Sequence, residues 1–263
     1  MTDHAVLILR LAAPLQSWGG PSRYNRRETR PHPTKSAILG LLAAAEGRPR
    51  EAPITDLLEL QLGVRVDQPG SLLRDYHTFS DHRGLPLPSA KVNAKGVQVR
   101  TSPAKYTGVT QRFYLQDAVF VAALRGPASL LERLEHAIRH PVYPLSLGRR
   151  SCPPTGPVSL GLQADADLPQ ALTAVPWKAS GHHRSQVQAT EVTLEATVED
   201  PAGDQLAVDV PDTYDLKTGT LFGRRTVRHL WLTISTGEQA AEPTGKENPP
   251  AHPGHDPFAL LGW

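Results

Sequence analysis

The apolar positions of this chain follow two rhythms. Residues 5–11 (AVLILRL) form a short, almost unbroken apolar run rich in branched side chains, which reads as a buried strand. Thr34 to Glu46 has the helical rhythm instead. Ile38, Leu41, Leu42 and Ala45 recur at i, i+3, i+4 and i+7 and give one apolar face, and Gly47 ends it. Between the two lies a loop, Pro14 to Pro33, with a turn at Gly19-Gly20-Pro21. Further on, Ile54 to Leu60 suits a short helical turn, Leu62 to Val66 alternates like a strand, and Leu72 to Tyr76 suits another. From His77 to Phe113 the pattern is polar and basic, broken by Gly84, Pro86, Pro88, Gly96, Pro103 and Gly108. Gln116 to Leu124 returns to strand character. Pro127 to His140 reads as a second helix, with Pro127 at its first position and Leu130, Leu131, Leu134 and Ile138 on its apolar face. Val158 to Leu162 closes this part as a strand.

Strand, helix, strand, strand, helix, strand is the ferredoxin-like, or RNA-recognition-motif-like, order. The expected class is α+β. Residues 1–162 form that domain, and the basic segment 77–113 is an insertion ahead of the third core strand. Residues 163–183 read as a connector. Glu191–Val198 and Thr226–Ile234 alternate like half-buried strands, so 163–236 is expected to be a smaller β-rich part. Residues 237–263 are rich in Pro, Gly and Glu and read as a disordered tail. Its last stretch, Asp256 to Trp263, is apolar enough to dock on a partner or on the chain itself.

Composition narrows the class. The 263 residues are 39% hydrophobic and 21% charged, an ordinary globular balance able to bury a core. A single cysteine excludes an internal disulfide and a cysteine-rich zinc site. The N-terminus lacks a signal-peptide pattern, and no apolar run nears the roughly 18 residues that span a bilayer, so a cytoplasmic protein with no membrane partner is expected. The net charge of +2 hides an asymmetry. Residues 1–162 hold 21 Lys+Arg against 12 Asp+Glu, and residues 163–263 hold 7 against 14. A basic half beside an acidic one points to a nucleic-acid surface on the first, although a solvated surface accounts for charge alone equally well.

Several places carry candidate chemistry. The first helix has Thr34 as a cap, then Lys35, Ser36 and Ala37, with no acid in its first turn. A helix start carries partial positive charge and normally attracts Asp or Glu. Preceded by Arg23, Arg26, Arg27 and Arg30, it reads as a phosphate site at Thr34–Ser36, or as a solvated lysine. Leu147 to Pro153 (LGRRSCP) offers Gly148 for close backbone approach and Arg149 and Arg150 as a phosphate grip, without the Gly-Lys-Ser/Thr ending of a P-loop. Gly223-Arg224-Arg225 is a weaker echo. The 77–113 segment holds Arg83, Lys91, Lys95, Arg100, Lys105 and Arg112 against the single acid Asp81, which suits an arm tracking an RNA backbone or a solvated loop. Trp18, in a glycine-flanked loop, is placed either to stack on a base or to anchor the loop in the core.

An enzyme is the competing class. A metal-independent endoribonuclease needs a base for the 2′-hydroxyl and an acid for the leaving oxygen, and His77 with Tyr76 or Lys91 supplies such groups. The spacing does not demand it. His182-His183 lacks further ligands for a metal. No HExxH, paired-carboxylate or nucleophile-elbow pattern occurs, so no catalytic residue, metal or cofactor is assigned.

Five stretches, in order, resemble the CasD family, the RAMP-superfamily subunit of the type I-E CRISPR Cascade complex. They are Leu7–Gly19 (LILRLAAPLQSWG), Pro33–Leu42 (PTKSAILGLL), Leu73–Thr78 (LRDYHT), Gln111–Ala118 (QRFYLQDA) and Ser146–Pro153 (SLGRRSCP). The later half matches only loosely, around Gly181–His183 and Arg228–Ile234. The resemblance implies a β-hairpin thumb at about 77–113 on the ferredoxin-like domain. It implies that the crRNA 5′ handle sits in a hook between core and thumb, the thumb kinking the guide beside the next backbone subunit. It implies a non-catalytic role, since a separate subunit, CasE, cuts the repeats, although a related protein of another subtype does cut RNA. The implied neighbours are the CasC backbone, the large CasA subunit, the other Cascade subunits and, through the assembled complex, target DNA. Together with the residue reading, this makes Trp18, Arg26, Arg27, Lys35, Ser36, Tyr76, His77, Lys91, Lys95, Arg112, Gly148, Arg149 and Arg150 the expected RNA contacts.

Overall fold

Among the described residues, eleven strands and five helices follow one another along the chain. They are β1 (His4–Ala12), β2 (Leu15–Gln16), β3 (Arg26–Arg27), α1 (Lys35–Ala45), α2 (Thr55–Leu58), β4 (Gln61–Gln68), β5 (Ser71–Ser80), β6 (Thr107–Gln116), β7 (Val119–Pro127), α3 (Ala128–Arg139), β8 (Ser159–Ala164), α4 (Leu168–Ala174), α5 (Gly181–Ser185), β9 (Glu191–Glu199), β10 (Gln205–Pro211) and β11 (Phe222–Ser235). This computed structural model describes residues 4–19, 25–80, 94–95, 107–215 and 217–236. Lys91, most of the segment 77–113 and the tail 237–263 therefore lie outside the described residues.

Seven strands form one sheet in the order β10-β11-β9-β4-β7-β1-β8. Within it β1 pairs antiparallel with β7 and β8, and β4 pairs antiparallel with β7. The sheet is buried on both sides near its middle, which is why β1 and β7 read as continuous apolar runs. Leu7, Leu9, Leu11, Phe120, Ala122 and Leu124 pack with Ile38, Leu42, Leu131 and Leu134 of α1 and α3. Val6, Ile8, Val121, Ala123, Ala196 and Val198 face Leu168, Ala171 and Leu172 of α4. Each fully buried Leu or Phe contributes about 1.5–3 kcal/mol through water it no longer orders.

The boundary expected at 162/163 does not interrupt this sheet, because β9 is hydrogen-bonded to β4. Within the expected connector, α4 forms because Asp167 accepts from Gln170 N at 2.7 Å and Pro169 sits in the first turn, where its missing N–H costs nothing. A buried ion pair fixes it. Arg65, wholly buried, holds Asp67 at 2.7 Å and donates to the carbonyls of Leu172, Val175 and Pro176, and Trp177 Nε1 donates to the Asp67 carbonyl at 2.9 Å.

The strand expected from Gln116 begins only at Val119. Asp117 takes φ 61°, a left-handed turn that separates β6 from β7. Upstream of that turn lies a second sheet, in which β6 pairs antiparallel with β5 from Ser71↔Gln116 to Ser80↔Thr107, antiparallel with β2, and in parallel with β3. It stands at one end of α1, beside the loop that follows α3.

Candidate nucleic-acid interface

The start of α1 already has its own acid. Thr34 caps it as expected, its hydroxyl accepting from Ala37 N at 3.3 Å. The Lys35 N–H, however, donates to Asp209 Oδ2 at 2.8 Å, and Asp209 also receives Nε and Nη2 of Arg225 at 2.7 and 2.9 Å. The acid missing from the first turn is thus supplied by β10. Burial alone would raise the Asp209 carboxyl, but the Arg225 hydrogen bonds and charge, with the Lys35 N–H, hold it below its ordinary value. Lys35 itself is 3% exposed, and its Nζ reaches both oxygens of Glu199 at 3.0 Å. Its placement as a phosphate contact is corrected: it is a buried strut between α1 and β9.

Trp18 is likewise a core residue. It is 1% exposed and meets Phe120 edge-on at 6.3 Å, and its backbone bridges to Thr29 and Arg30. The loop-anchor role is the one realised.

The loop after α3 behaves differently from expectation at two of its three positions. Gly148 has φ 93°, and a Cβ there would lie 1.7 Å from the Ser17 carbonyl oxygen. The close approach it permits is therefore to Ser17. Arg149 donates to the carbonyls of Phe113 (3.0 Å) and Arg27 (2.9 Å), and its guanidinium lies 4.6 Å from the Tyr114 ring centroid. It staples β6 and β3 to the loop, with much of its donor fork occupied. Arg150, next to it, is exposed and has no side-chain partner among the described residues.

A groove of about 770 Å³ collects the basic residues of this region. Its floor is the small-residue side of α1, Ala37, Gly40 and Ala44, with the Ser36 backbone held by the Tyr214 hydroxyl. Burial pushes that phenol well up, so Tyr214 acts as a neutral donor. One wall is the Tyr143–Arg150 loop. Arg27 and Glu28 stand opposite, and Arg48 and Arg50 close the end. Arg48 is tied to Asp56 and Glu46 at 2.5 and 2.6 Å. Arg50, like Arg150, is exposed without a partner among the described residues. Of the expected contacts, the groove brings together Arg27, Ser36, Gly148, Arg149 and Arg150. Sequence reading missed Arg48, Arg50, Tyr143 and Tyr214. The run Gly47-Arg48-Pro49-Arg50 was the available signal for two of them.

The β5–β6 pair carries the rest. By strand alternation Arg112, His77 and Tyr114 share one face with the parallel partner Arg27, whereas Tyr76 and Phe113 lie on the other. Arg26 sits over the Phe113 ring at 5.0 Å and pairs with Glu28 at 2.8 Å, so it belongs to that second face. Arg112 is half-buried, and its Nε has no hydrogen-bond partner. His77 meets the Thr110 hydroxyl at 3.2 Å and stacks on Phe79. Tyr76, 66% exposed, points away from it, so the two rings do not converge on one phosphate. Lys95 is exposed in a turn. Among the described residues no group of three or more metal-ligating side chains occurs, and no helix is long and apolar enough to cross a membrane.

The groove and hairpin residues fall inside a match to the family model described as CRISPR-associated protein (Cas_Cas5), which spans residues 6–228. The chain belongs to this Cas5 family. Its members similar to this chain include the CRISPR system Cascade subunit CasD of Escherichia coli K12, 37% identical over 184 residues that cover 63% of this chain and 75% of that protein. A chain of a solved CRISPR RNA-guided surveillance complex superimposes with a TM-score of 0.69 at 32% identity, covering 88% of this chain and 91% of its own. A solved Cas protein does so with 0.63 at 35% identity, covering 86% and 94%. The CasD resemblance read from the five stretches is thereby established at family level. The Cas5 match also crosses from β8 into β11, so the strands past residue 162 are part of the family's fold.

Proposed function

We propose that this Cas5 protein is a non-catalytic subunit of a type I-E Cascade complex that binds the 5′ handle of the crRNA. In this reading β8-β1-β7-β4 with α1 and α3 is the ferredoxin-like core, and β5–β6 is the base of the thumb. The handle runs through the groove between α1 and the 143–150 loop, and its phosphates meet Arg150, Arg50 and Arg27. CasC is the neighbour on the thumb side, CasA and the other subunits complete the complex, and target DNA is met through the assembly. The observation that carries the reading is the pair of exposed arginines, Arg50 and Arg150, without a partner among the described residues, on two sides of one groove beside the hairpin.

The test is co-expression with a repeat–spacer transcript and the backbone subunit, without the processing nuclease, followed by purification through this chain and sequencing of the RNA ends. Long, uncut repeat-containing RNA supports the binding role. A uniform 5′ end inside the repeat would replace it with an endoribonuclease. Recovery of no RNA with the full subunit set would refute both.

A further inference from the structure

On the α1 side of the large sheet, β9 and β11 leave a face that no helix covers among the described residues. Strand alternation and the pairings Trp231↔Glu195, Thr233↔Thr193 and His229↔Thr197 place these residues together on it. α4 covers the opposite face, where Leu194, Ala196 and Leu232 are buried or half-buried and Arg228 pairs with Asp200. Trp231 is 71% exposed, among the most exposed large apolar side chains described in the chain, and makes no ring contact among the described residues. A tryptophan held this far into water on a rigid strand gains nothing from its own fold and marks a contact surface.

The charge around it selects the occupant. Glu191 and Glu195 lie on the same face, and Glu195 faces His229 at 3.8 Å. Of the β11 cations, Arg224 and Arg228 point to the other side, and Arg225, on the same face but toward Asp209 and Glu199, is buried in ion pairs with them. An indole flanked by carboxylates repels a phosphate backbone and suits a guanidinium, which stacks on the ring while its N–H groups reach the acids. The same polarity holds at larger scale, because residues 163–263 are net acidic and residues 1–162 net basic.

We propose that the Trp231–Glu195 face is a docking surface for an arginine-bearing segment of a neighbouring protein subunit, separate from the RNA groove. It rests on the reading of the chain as a subunit of a multiprotein complex. The surface is a salt-sensitive contact with one aromatic anchor.

The test uses the complete complex purified through this chain, with Trp231→Ala and Glu195→Lys, both at exposed positions. Circular dichroism and the thermal midpoint verify that each variant folds. Guide RNA and each protein subunit are quantified separately. Expected is a loss of one protein neighbour, with its affinity falling about tenfold or more for Trp231→Ala. Guide RNA retention by this chain stays at the wild-type level, and the neighbour lost is the same one for both variants. Unchanged subunit stoichiometry in both folded variants overturns the proposal, and so does ultraviolet cross-linking of Trp231 to RNA. A wild-type chain that recovers no other subunit overturns the parent reading as well, and is told apart by that wild-type result.

Discussion

Lys35 separates two accounts of the first helix, and Lys35→Met is the substitution that tests them. A lysine that touches phosphate adds about 0.7 to the slope of log affinity against log salt on single-stranded RNA. A buried strut adds nothing to that slope but supports the fold. In the structure the ammonium is 3% exposed and 3.0 Å from Glu199. Removing one member of a buried pair costs about 3–5 kcal/mol when the survivor is left uncompensated. Glu199 would keep Arg225 Nη1 at 3.6 Å and the Leu62 N–H at 3.3 Å, which recovers part of this. Methionine also retains the apolar contacts of the lysine stem. The net loss is then roughly 2 kcal/mol, and a chain of this size should melt roughly 4–8 °C lower. The assay pairs a thermal scan with guide-RNA affinity measured from low to high salt. A lower midpoint with an unchanged salt slope is expected. An unchanged midpoint with a slope reduced by about 0.7 would refute the strut and restore the phosphate contact.

The two arginines of the loop should part company in the same pair of measurements. Arg150→Ala should lower the salt slope without moving the midpoint, whereas Arg149→Ala, which loses two hydrogen bonds to carbonyls and a ring contact, should cost about 2–4 kcal/mol in urea unfolding. Gly148→Ala should be more damaging than its size suggests, by upwards of about 2 kcal/mol, because its Cβ overlaps the Ser17 carbonyl at a positive φ; a wild-type midpoint would show that the loop relaxes freely. Acid should act through Asp209. Its carboxyl is depressed in the folded state, so the stability it lends is present above the ordinary value of 3.8 and is lost as pH falls through the lower folded value. Asp209→Asn should flatten that acid limb of the unfolding curve below about pH 4, and an unchanged limb would exclude the mechanism.

What the sequence disclosed depended on where each partner lay. β1, α1, β4, β7 and α3 bury their own periodic residues, so local pattern and local structure agree, and the helix cap at Thr34 follows from adjacent residues. β10 went unseen because its alternation is inverted: Leu206 and Val208 are 63% and 52% exposed at the sheet edge, while Asp209 turns inward. α4 was hidden behind Pro169, a breaker everywhere except in a first turn. At the candidate site, the basic loop at Arg149–Arg150 was legible as a cluster. The division of labour between its arginines was not, since it is set by carbonyls of Phe113 and Arg27 far away in the chain. For the same reason an acid-free helix start looked vacant, though its acid lay 174 positions downstream.

That distance also has a direction in time. A ribosome adds about 5–20 residues per second, so roughly 10–35 s separate the emergence of Lys35 from that of Asp209. Through that interval the nascent chain carries the bare, electropositive helix start that the finished protein lacks. The closing hairpin β10–β11 is therefore a late-arriving lock, and the half-made protein differs from the whole one in what it attracts.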